Sequence, residues 1–128
     1  MKKIAILLLL VVGFSSCTDY DEVILPVVGF YDARVVGYSG GFEMNVAANG
    51  GKNVIIEAPF DGEIWEIIDA RFNDGEDFRK EINIPRQSLG DGVEIWGEGF
   101  YYDGNIQLDY KMSFWGDVYK YKILGSQY

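Results

Sequence analysis

Histidine is absent from this 128-residue chain and cysteine occurs once, at position 17. The first absence removes the usual general base near neutral pH and the commonest metal ligand. The second excludes an internal disulfide or a thiolate cluster. Basic residues are outnumbered, 11 against 20 acidic ones, whereas a nucleic-acid partner calls for a basic face. The longest apolar run, Ile4 to Val12, has nine residues, and a helix that spans a bilayer needs about 20. Sustained 3.6-residue apolar periodicity is also missing beyond Pro26, which disfavours helix throughout that region. What is present suits a single small folded domain: 48% hydrophobic and 24% charged residues lie near the values of ordinary globular chains.

The first residues carry an address. Met1-Lys2-Lys3 is a short basic start, Ile4 to Val12 has the length of a signal-peptide core, and the small residues Ser15 and Ser16 precede Cys17. These features occur in the order that export requires. The segment resembles a bacterial lipobox, with Phe14 standing where that signal usually has an aliphatic residue. The resemblance implies thioether lipidation of Cys17, cleavage before it and acylation of the new amino terminus. Asp19, Asp21 and Glu22 follow closely and look like the acidic stretch behind the lipidated cysteine of surface-exported lipoproteins of Bacteroidota. A solvated tether explains the same residues. The organisation expected is therefore a signal peptide at 1–16, a lipidated acidic tether at 17–26 and one domain at 27–128. The expected location is the outer membrane, lipid-anchored and exposed at the cell surface.

Past residue 26 the chain reads as strands. Ile106, Leu108, Tyr110, Met112 and Phe114 alternate with Asn105, Gln107, Asp109, Lys111 and Ser113, the pattern of a half-buried strand. Seven turn signals divide the rest, among them Phe60-Asp61-Gly62, Leu89-Gly90-Asp91-Gly92, Tyr102-Asp103-Gly104 and Trp115-Gly116-Asp117. They predict eight strands near 28–38, 42–48, 53–58, 63–72, 79–85, 93–101, 105–114 and 118–124, with Pro85 ending the fifth. The connections are too short for crossover helices, so neighbours should pair antiparallel in a meander. An open meander of this size would leave long edges, which favours closure into a barrel or, alternatively, a two-sheet sandwich. Gly97 and Gly99, inside the sixth strand, suggest a bend at a barrel corner or a bulge.

Gly29-Phe30-Tyr31, NVIIEAPF at 53–60, INIPRQSL at 82–89, VEIWGEGF at 93–100 and IQLDY at 106–110 together resemble the small lipocalin-like lipoproteins of Bacteroidota. The resemblance covers about 100 residues and implies a calycin-like barrel of eight strands. Phe30-Tyr31 replaces the Gly-x-Trp opening of true lipocalins, and no Arg stands in the last strand. A transport role is therefore analogy, since a fold does not fix a function.

Nineteen of the 112 residues from Cys17 onward are aromatic. Most such rings fill cores or interfaces. Alternation in the sixth strand sets Glu94, Trp96, Glu98 and Phe100 on one face, against Val93, Ile95, Gly97, Gly99 and Tyr101 on the other. A ring beside carboxylates is a platform for sugar, because a pyranose face stacks on indole while acids accept hydrogen bonds from hydroxyls. The reverse assignment would put Trp96 and Phe100 inside the barrel. Glu94 and Glu98 lie roughly 13 Å apart along the strand, too far for a retaining glycosidase pair. Asn73-Asp74-Gly75-Glu76-Asp77 is better explained as a turn than as a Ca²⁺ loop, since it lacks the length and closing Glu of an EF-hand.

The sequence thus reads as a non-catalytic surface lipoprotein with no metal and no cofactor, binding a small apolar or carbohydrate ligand through Trp96, Phe100, Glu94 and Glu98. Its other expected partner is the membrane, through Cys17. The alternative is an accessory lipoprotein that engages another envelope protein.

Overall fold

Three two-residue turns fix the register of the second half of the chain. Asp91-Gly92, Asp103-Gly104 and Trp115-Gly116 all have positive φ at both positions, at 51° and 78°, 51° and 86°, and 51° and 97°. That geometry twists a hairpin in the sense that strands require. The computed structural model describes residues 24–38, 41–74 and 79–128. Within them lie eight strands: β1 (Gly29–Val35), β2 (Phe42–Ala48), β3 (Asn53–Pro59), β4 (Trp65–Asp74), β5 (Lys80–Gly90), β6 (Val93–Tyr102), β7 (Asn105–Phe114) and β8 (Asp117–Gln127). Each pairs antiparallel with its neighbours in sequence, and β8 returns to β1, with Tyr31 opposite Gln127 and Val35 opposite Ile123. The result is a closed barrel, not a sandwich, and it is consistent with a lipocalin-like fold.

Closure turns one residue in two toward a common interior. Met44, Val46, Val54, Ile56, Ile68, Phe72 and their counterparts from every other strand are buried there. On β7 the inward residues are Ile106, Leu108, Tyr110 and Met112, the face that alternation predicts. Both ends are sealed by loops that a phenol ties down. At one end Ile24 and Val27 are fully buried in a short turn, and the Tyr31 hydroxyl donates to the Val27 carbonyl at 2.5 Å. Ile24 to Pro26 belong to the segment read from sequence as tether. At the other end Phe60 folds inward, and its carbonyl accepts from the Tyr110 hydroxyl at 2.6 Å. Cys17, residues 1–16 and Gly75-Glu76-Asp77 lie outside the described residues.

One boundary departs from expectation in a way that matters for the site. β5 does not end at Pro85 but runs to Gly90, with a bulge between Ile84 and Gln87 opposite β6. On its other side, β4 pairs with β5 only from Arg71–Asn83 to Asp74–Lys80. Pro85 therefore sits where no ladder hydrogen bond is asked of it. Gln87 bridges the seam instead: its side-chain amide accepts from the Asp69 N–H at 2.8 Å and donates to the Asp69 carbonyl at 2.9 Å. The bulge lies in β5 opposite the stretch from Gly97 to Ile95, no register shift falls at Gly99, and both glycines also serve a close approach of β7 to β6. A Cβ on Gly97 would meet the Asp109 carbonyl and the Tyr110 backbone, and one on Gly99 would meet the Gln107 carbonyl.

Candidate functional site

An eight-stranded barrel is wide enough either for side chains to fill it or to hold one small ligand, and here the large side chains of Tyr31, Phe60, Phe72, Met44, Tyr110 and Leu108 are buried inside. Space for a ligand appears instead on the outer face. Ile84, Gly97, Tyr110 and Tyr121 stand directly opposite one another across β5, β6, β7 and β8. The side chain of buried Tyr110 reaches Phe60 within the barrel, and Gly97 has none, so this row forms a low floor on the outside. Residues one step along each strand face outward and form walls. One wall is Arg86, Trp96, Lys111 and Lys120; the other is Asn83, Glu98, Asp109 and Lys122. The groove runs across four strands, with a volume of about 840 Å³.

The bulge places Arg86 above this groove. Its guanidinium lies 4.0 Å from the centroid of the Trp96 ring and donates to the Glu94 carboxylate at 2.7 Å. In the opposite wall Lys122 pairs with Asp109 at 3.8 Å, and Asp109 also accepts from the Gln107 amide at 2.9 Å. Among the described residues the other ion pair is Lys80 with Asp74, at 3.2 Å and far from the groove. Lys111 and Lys120, directly opposite each other on β7 and β8, have no described acidic partner at ion-pair distance. Below the floor, burial chiefly, with Tyr121 and Asp61 adding to it, pushes the Tyr110 phenol well above its ordinary range, so it stays neutral and bonded to Phe60.

The four residues singled out from sequence do share the outer face, but they divide between two places. Trp96 and Glu98 line the groove, and Glu94 stands next to it in the ion pair with Arg86. Phe100 lies elsewhere, in a smaller hollow of about 410 Å³ beside Asp32, Arg34 and Gln107, with the Arg79 guanidinium 4.1 Å from its ring centroid. One face of each ring is thus already covered by an arginine. Glu98 has Asp109 directly opposite on β7, closer than Glu94 can be. Glu98 is exposed to water.

Sequence reasoning missed Arg86, Lys111, Lys120 and Lys122. Three of them had a signal. Counting back from the turns at Asp103-Gly104 and Trp115-Gly116 puts Lys111 opposite Trp96, Lys120 opposite Lys111 and Lys122 opposite Asp109. Arg86 had none, since its position depends on the bulge. No known protein family matches the chain, and no curated protein or solved structure is detectably similar to it.

Proposed function

We propose that the protein is a non-catalytic binding module of the cell envelope, tethered by a lipid on Cys17, which takes a carbohydrate in the outer groove beside Trp96. The observation that carries this reading is the pairing of a filled barrel with a groove of about 840 Å³ outside it, a volume within the usual range of small-molecule sites. An apolar ligand would need an apolar enclosure, and the interior is occupied. Indole with polar walls suits sugar, because Asn83, Glu98 and Asp109 can bond hydroxyls while the ring takes the apolar face. The basic start, the nine-residue apolar run and Ser15-Ser16-Cys17 support export and anchoring, and the acids at 19, 21 and 22 support display at the outer surface of a Bacteroidota-type cell. Two measurements test this. Cys17→Ser should abolish fatty-acid labelling of the protein in its host. A glycan array followed by calorimetry should find a ligand whose binding is lost in Trp96→Ala at unchanged melting temperature. Retained labelling would remove the anchor, and no glycan bound would remove the module.

A second reading, a protein-interaction lipoprotein, is favoured by a separate observation. Tyr38, Ile64, Trp65, Trp115, Val118 and Tyr119 are all exposed at the barrel end opposite the N-terminal turn, Trp115 by 75%. Apolar groups gathered at one end of a soluble domain mark interaction surfaces. A Cys17-anchored tether would leave from the other end, so these residues would face away from the membrane. Cross-linking from Trp115, by a photoreactive residue placed there, should capture an envelope partner if this reading holds; a cross-link confined to lipid would sink it.

A further inference from the structure

We infer that the groove takes an anionic saccharide, a short sugar bearing a carboxylate or sulfate, with its acidic group between Lys111 and Lys120 and its ring against Trp96. The inference rests on the binding-module reading and adds the charge of the ligand. From Cys17 onward the chain has nine basic residues: Arg34, Lys52, Arg71, Arg79, Lys80, Arg86, Lys111, Lys120 and Lys122. Four of the nine line one groove, where only two of the chain's 20 acids, Glu98 and Asp109, accompany them. The local balance is thus the reverse of the global one.

Neutralisation within the groove is incomplete. Asp109 answers Lys122, and Glu94 answers Arg86 from beside the groove. Lys111 and Lys120 are left facing each other across β7 and β8. Like charges directly opposite on paired strands destabilise a sheet, and an anion between the two ammonium groups would turn that repulsion into two charge-assisted hydrogen bonds. Because Trp96 is opposite Lys111 on the other side, the anion site and the indole are adjacent across the strands, an arrangement that fits a charged substituent on a ring.

The wider field limits the size of the ligand. With a net charge of −9, the protein repels a polyanion at long range, and screening confines the attraction of two lysines to within about 10 Å at 0.1 M salt. A single acidic group on a small sugar meets both conditions. A nucleic acid meets neither.

The test is calorimetry on the full-length protein in detergent, with three galactose-based trisaccharides that carry one galacturonate residue, one galactose-6-sulfate residue or no acidic group. The acidic sugars should bind about tenfold or more tighter than the neutral one, and Lys111→Met and Lys120→Met should each narrow that preference by about tenfold. Binding of galacturonate alone, or of the sulfated sugar alone, assigns the acidic group. Without ligand, Lys120→Met should melt no lower than the wild type, because it removes a repulsion. Equal binding of neutral and acidic sugars, or lysine variants that bind as the wild type does, would overturn the charge assignment and leave the binding module standing. If no sugar of either charge binds, the binding-module reading itself falls.

Discussion

Tyr31 and Tyr110 do the same job at opposite ends of the barrel: each donates its hydroxyl to a loop carbonyl, Val27 or Phe60, and so holds a sealing segment over the core. Burial keeps both phenols protonated well past their ordinary pKa of 10, with Tyr101 reinforcing it at Tyr31 and Tyr121 and Asp61 at Tyr110. The consequence for stability has a definite sign. Below pH 10 the phenols are neutral in both folded and unfolded chains and the folded state keeps its full advantage. Above it the unfolded chain releases protons that the folded one retains, so stability falls as pH rises, by about 1.4 kcal/mol per pH unit for each tyrosine. Urea unfolding should give a constant free energy from pH 8 to 9 and a steep loss above 10. Tyr31→Phe or Tyr110→Phe should each remove about 1.4 kcal/mol per pH unit from that slope, at a cost of about 1 kcal/mol at neutral pH for the lost hydrogen bond. A free energy that stays flat to pH 11 would show that these phenols are not held as described.

At the scale of elements, the sheet is set by turn chemistry and by the places where two strands come close. Gly97 and Gly99 are not left-handed; what β6 needs from them is the absence of a side chain, so that the backbone of β7 can approach. Gly97→Ala should therefore destabilise the fold by about 3 kcal/mol in thermal or urea unfolding, as overpacking against backbone does. Gly41→Ala, whose added methyl would make only ordinary contacts with Asp32 and Ala33, should cost less than about 1 kcal/mol, and equal losses would refute the close approach. The strands were legible because alternation and Asp-Gly turns are local signals, strongest in β7. The end of β5 was not, because whether Pro85 breaks a strand depends on whether a neighbour asks for its N–H, and β4 has already departed there. The same division holds for the candidate site. Trp96, Glu94 and Glu98 come from one strand and were visible in its alternation. The cations come from β5, β7 and β8, and only register across three hairpins and a bulge brings them to Trp96.

On the scale of the whole molecule, closure joins the first strand to the last, so β1 and β8 each lack one native neighbour until both ends of the meander are in place. Three distant stretches meet at the seam. The Gln127 amide donates to the Pro26 carbonyl at 2.8 Å and accepts from the Tyr101 hydroxyl at 3.0 Å, and the Tyr128 N–H donates to the Phe30 carbonyl at 3.2 Å. Ile24 and Val27 lie beneath this junction without exposure to water, and full burial of such side chains contributes about 1.5–3 kcal/mol each. The turn at 24–28 is therefore part of the domain. Two truncated chains separate the alternatives. One that begins at residue 23 keeps the turn and should melt with the full-length protein. One that begins at residue 29 loses both apolar side chains, leaves Tyr31 and Gln127 without their carbonyl partners and opens the core to water. Its stability should fall by about 3–5 kcal/mol, which for a domain of this size lowers the melting temperature by roughly 10–20 °C. Because the groove beside Trp96 is lined by β5 to β8 and Val36 and draws nothing from the turn at 24–28, a short truncation that remains folded should still bind whatever the groove binds. Identical melting of the two truncated chains would show that the turn is an appendage, and that Tyr31 and the sheet alone close that end of the barrel.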